Sequence, residues 1–148
     1  MGLDSFIQIL QASIAPVVLI SGAGLILLTM TNRLSRTLGQ IRVLLAHYNN
    51  PAYKNPSHLF EQIQVLYKRS GLLQRAVFYV TLCIICVSSI ILMLFSSFVF
   101  NLNFLVLIKL VFALGIISLI IAMIYFLIDV NMSLRTIEIE LKMLDKNV

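Results

Sequence analysis

The chain has 148 residues, 60% of them apolar and only 11% charged, with a mean hydropathy of +1.01 and a formal net charge of +5. Soluble domains sit near ~45–50% apolar and ~25% charged, so this composition excludes a water-soluble fold and makes lipid the solvent. The positive charge reads first as membrane orientation. A nucleic-acid partner is not expected, because such proteins gather basic charge on a folded soluble face.

The N-terminal Met1–Phe6 has no basic region of the kind that opens a signal peptide, and Phe6 stands where a myristoylation signal needs Ser or Thr. The first apolar run is therefore expected to be kept as a span. Three runs are long enough to cross a bilayer: Ile7–Met30 with 24 residues, Ala76–Phe100 with 25 and Phe104–Ile128 with 25. As helices they reach roughly 36–38 Å, against a hydrocarbon core of about 30 Å. None alternates with period two, and a lone apolar run satisfies its backbone in lipid only as a helix.

Ten of the eleven basic residues lie in segments 31–75 and 131–148: Arg33, Arg36, Arg42, Lys54, Lys68, Arg69, Arg75, Arg135, Lys142 and Lys146. The segment before Ile7 and the turn Asn101–Asn103 carry none, and Lys109, a turn into the third run, can snorkel outward. The excess of basic residues in cytoplasmic segments predicts the N-terminus outside and the C-terminus inside.

Segment 31–75 is expected to form a helical hairpin rather than a loose loop. Leu34, Leu38, Ile41, Leu45 and Tyr48 recur at spacings of 4, 3, 4 and 3, and Leu59, Ile63, Leu66, Ser70 and Leu73 follow a similar rhythm. The tail 129–146 repeats it with Val130, Leu134, Ile137, Leu141 and Leu144. Such seams belong to coiled coils and bundles. The fold class predicted is all-α, a single membrane domain over 1–148. Its three transmembrane helices, 7–30, 76–100 and 104–128, extend into a short cytoplasmic bundle. Pro56 suits a first helical turn, with Asn55 as its N-cap.

At Ala15–Gly24, followed by Thr31-Asn32-Arg33-Leu34-Ser35-Arg36, with Asp129 and Ser133-Leu134 after the third run, the chain resembles a family known only as a domain of unknown function, DUF2721. The resemblance implies three spans and a bacterial inner (plasma) membrane location. It brings no reaction, ligand or partner.

Few residues carry chemistry. Cys83 and Cys86 share a helix face, which permits a redox or two-ligand metal reading, but no further ligand lies at their depth and cysteine is an ordinary packing residue in spans. His47 and His58 flank the hairpin turn and read as solvated surface. None of the six acids, Asp4, Glu61, Asp129, Glu138, Glu140 and Asp145, pairs with a nucleophile. No enzyme, cofactor or bound metal is expected.

Two features point to assembly. Gln8, Gln11, Ala15, Val18, Gly22, Leu25, Thr29, Asn32 and Arg36 form one stripe of the first helix, mostly small or polar. In lipid such a stripe must face protein or water: either a tight helix–helix seam or the lining of a pore in an oligomer, with Arg36 at its inner mouth. On the third helix, Gly115, Ser118, Ala122, Tyr125 and Asp129 suit close packing against the first. Asp129, at the inner boundary, is expected to pair with Arg33, Arg36 or Arg75, with ion coordination or gating as the other role. Three spans cannot enclose a solute path alone, so the function expected is that of a homo-oligomer with channel-like potential for ions or small solutes. The alternative is a non-conducting scaffold or regulatory protein whose basic hairpin, net +6 from seven cations and Glu61, binds a partner or anionic lipid.

Overall fold

The computed structural model contains three long helices: α1, Leu3–Tyr48; α2, Pro56–Phe100; and α3, Leu105–Asp145. The structure describes these ranges; side chains 3–6, 8–10, 12, 13, 56–59, 98, 100 and 134–145 within them lie outside the description. The expected turn Asn101–Asn103, residues 49–55 of the expected hairpin turn, and most of the C-terminal seam therefore fall outside it. α2 starts at Pro56, where a missing N–H costs nothing because the first turn of a helix has no intrahelical acceptor for it. Each helix carries a stretch long and apolar enough to cross a membrane, with α2 the most buried and α1 the least.

The chain divides into two compact units, Met1–Thr29 with Val77–Ala122 and Met30–Ala76 with Met123–Val148.

The first unit is apolar inside and out. Its core is Ala23 of α1, Val80, Cys83, Cys86, Val87 and Ile90 of α2, and Ser118 and Ala122 of α3. Val80, Cys83, Val87 and Ile90 step by 3, 4 and 3, one face of a helix in bundle packing. Many core side chains are small, and small residues let helices approach in the absence of a hydrophobic driving force between them. A Cβ placed on Gly115 would sit 3.4 Å from the Cβ of Cys86 and 3.8 Å from Val87. Three residues on, the Ser118 hydroxyl donates to the Tyr79 carbonyl at 2.8 Å. The small face of α3 thus packs on α2 at these two positions, where packing against α1 was expected. Val17, Leu28, Phe78, Leu92, Phe95, Leu110, Phe112 and Leu114 point outward. A surface so apolar is that of a lipid-facing protein.

The second unit buries Met30, Thr37 and Ile41 of α1, Ser70, Leu73 and Ala76 of α2, and Asp129 of α3. On α2 the described part of the expected line holds its place, with Ile63 and Leu66 half-buried ahead of buried Ser70 and Leu73, while the Leu59 side chain lies outside the description. On α1 it does not. Leu38 is 41% exposed, and Leu45 and Tyr48 are also exposed; the inward line is instead Met30, Leu34, Thr37, Ile41 and Leu44. Thr37 tolerates burial because its hydroxyl donates to the Arg33 carbonyl at 3.1 Å, which satisfies it within its own helix. Turning Thr37 inward also brings Arg33 round to Asp129.

Candidate functional site

The second unit places one arginine from each of α1 and α2 beside a single carboxylate of α3. Asp129 of α3 is fully buried, at 0% exposure. Arg69 of α2, 14% exposed, donates from Nε to Oδ1 at 3.4 Å. Arg33 of α1, 32% exposed, brings Nη2 to 3.2 Å from Oδ2. That second approach is an ion pair without hydrogen-bond alignment, so Oδ2 accepts no hydrogen bond among the described residues. The Arg33 guanidinium also lies over the Phe126 ring of α3, 5.2 Å from its centroid. At that distance the ring quadrupole attracts the cation.

The nearby hydroxyls do not serve the carboxylate. Thr37 is bonded to the Arg33 carbonyl, and Ser70 donates to the Tyr67 carbonyl at 2.8 Å. A fully buried carboxylate must be compensated, and here two guanidiniums do so. Two positive charges against one negative leave the cluster with a net charge of +1. What the arrangement does is tie α1, α2 and α3 together within this unit.

Of the cations expected beside Asp129, Arg33 stands there, whereas Arg36 and Arg75 are exposed and do not reach it. Arg69, not foreseen, takes the second place. The missed signal was seam phase: Arg69 precedes Ser70, on the buried line Ile63, Leu66, Ser70 and Leu73, by one residue, whereas the expectation looked only to the ends of the apolar runs.

Among the described positions of the α1 stripe, Gln11, Ala15, Val18, Gly22, Leu25 and Thr29 in the first unit are exposed, as are Asn32 and Arg36 in the second; the Gln8 side chain lies outside the description. The chain's own helices do not use this stripe as their seam. At Gly22 a Cβ would meet nothing within 4 Å. Cys83 and Cys86 are free thiols, buried against Gly115. His47 Nδ1 lies 2.8 Å from the Val43 carbonyl of its own helix, and His58 lies outside the described side chains.

Among the described residues, three long apolar helices and lipid-compatible surfaces define a multi-pass helical membrane protein. The family model described as "Protein of unknown function (DUF2721)" matches residues 13–139. The chain belongs to that family. No curated protein and no solved structure matches it.

Proposed function

We propose that the protein acts as a homo-oligomer in which the small and polar face of α1 turns toward neighbouring copies, with channel-like potential for ions or small solutes along that face. The reading makes it a non-enzymatic protein of an inner (plasma) membrane, with the N-terminus outside and the C-terminus and basic hairpin in the cytoplasm. The observation that carries it is the exposure of Gln11, Ala15, Gly22 and Thr29 on a helix within an apolar unit. In hydrocarbon a polar side chain such as Gln11 needs a protein or water partner, and residues of Gly and Ala size permit close helix approach. The Thr29 hydroxyl is already bonded to the Leu25 carbonyl at 3.0 Å, so Gln11 is the stronger demand. Val18 and Leu25, at 64% and 68% exposure, would fill the interface beside the small residues.

A second reading, a non-conducting scaffold or regulator, is favoured by the exposed cations Arg36, Arg42, Lys68 and Arg75, which present a basic surface to a soluble partner.

Cysteines introduced at Ala15 or Gly22, with Cys83 and Cys86 replaced by alanine, test the assembly in native membranes. Crosslinked dimers at these positions, and none from a cysteine at Phe112, are expected. Flux of ions from liposomes then separates a conducting oligomer from a silent one. Absence of crosslinking along the stripe would sink the oligomeric reading and leave the scaffold.

A further inference from the structure

We propose that the Arg33–Asp129–Arg69 cluster is an anionic-lipid site, in which the phosphate of a lipid headgroup completes the charge balance by binding the exposed side of Arg33. The inference does not depend on oligomerisation or conduction.

The argument begins with charge. Arg33 and Arg69 share the one carboxylate of Asp129, which leaves one positive charge in a cluster whose members are between 0% and 32% exposed. The excess charge falls on Arg33, which is only partly desolvated at 32% exposure, and an anion beside a partly desolvated cation is favoured. Among the described side chains no other acid stands nearby. Glu61 is exposed and eight residues before Arg69 on α2, roughly 12 Å along the axis.

Geometry selects Arg33 as the receiving group. Its contact with Asp129 is a single unaligned approach at 3.2 Å, so its N–H groups are not committed to the carboxylate. The Arg33 side chain is 32% exposed beside Phe126, and a guanidinium can grip phosphate oxygens in a fork. Position selects a lipid. Arg33 and Asp129 stand three residues and one residue beyond the apolar runs Ile7–Met30 and Phe104–Ile128, the depth at which headgroups lie.

The test uses the full chain purified in a neutral detergent, with phosphatidylglycerol, phosphatidylcholine or inorganic phosphate added. Native mass spectrometry reads bound lipid, and thermal unfolding reads stabilisation. Wild type is expected to retain phosphatidylglycerol over phosphatidylcholine, with the preference weakened by added salt. Arg33→Gln keeps the Arg69–Asp129 bond and should lower that preference about fivefold, the worth of one cation at an anionic surface. Arg33→Lys should recover part of it, and Gln40→Ala, at an exposed uncharged position, should leave it unchanged. Asp129→Asn raises the cluster to +2, so it should hold phosphatidylglycerol at least as well as wild type even while losing thermal stability. Equal retention of the two lipids by wild type overturns the proposal. So does an unchanged preference in Arg33→Gln. Inorganic phosphate giving the same stabilisation as phosphatidylglycerol would also overturn it, by making the site one for the free ion.

Discussion

Asp129 and Arg69 stand 60 residues apart in the chain, yet the guanidinium Nε of one lies 3.4 Å from the carboxylate Oδ1 of the other. The bond joins α2 to α3, and Arg33 extends the tie to α1. Because the carboxylate has no solvent to fall back on, the three residues behave as one energetic unit.

Removing the acid should therefore cost more than removing either cation. Asp129→Asn leaves two partly desolvated guanidiniums without a counter-charge and is expected to destabilise by about 3–5 kcal/mol, less to the extent that water reaches Arg33. Arg69→Gln, which leaves Arg33 beside the carboxylate, should cost less. Combined with Asp129→Asn, Arg69→Gln should restore part of the loss, since an orphaned charge is removed. Thermal unfolding in detergent measures all three; strictly additive losses would mean that the cluster is wet and uncoupled.

Close approach of α2 and α3 rests on Gly115. An alanine Cβ at 3.4 Å from Cys86 is an ordinary contact, so Gly115→Ala should be neutral or gain up to about 1 kcal/mol of helix propensity. Gly115→Leu has no room and should cost roughly 1–3 kcal/mol. Ser118→Ala, which deletes the bond to the Tyr79 carbonyl, should cost about 0.6 kcal/mol, the average for such bonds between helices in a membrane. The ranking of melting temperatures checks the set, and a benign Gly115→Leu would contradict the packing.

Aspartate substitutions separate the two sides of α1 in the second unit. Ile41→Asp and Leu73→Asp bury an unpaired charge and should lose several kcal/mol. Leu38→Asp, on an exposed position, should be mild. Equal losses at Leu38 and Ile41 would restore the line through Leu34, Leu38, Ile41 and Leu45.

Orientation is open to labelling. With Cys83 and Cys86 replaced by alanine, a cysteine at Asn103 should react with an impermeant reagent from outside intact cells. Cysteines at Lys54 and Lys146 should react only after permeabilisation. Reaction at Lys54 in intact cells would reverse the proposed topology.

The sequence by itself determined that the protein is helical and built for lipid, and where its three apolar stretches lie, because length and hydropathy act locally and need no partner. The inward line of α2 was also legible, and so was the small face of α3. Both are periodic patterns within one helix. What only the tertiary structure decided is which side of α1 turns inward and which arginines meet Asp129. Leu38 is larger and more apolar than Thr37, so pattern alone turns Leu38 in. The fold buries Thr37 instead, because Thr37 can satisfy its own hydroxyl and because Arg33, four residues back, must reach a buried carboxylate. Arg69 was hidden for the same reason: a buried ion pair is chosen by the helix phases that three chain segments adopt together, and those phases are not a property of any one segment.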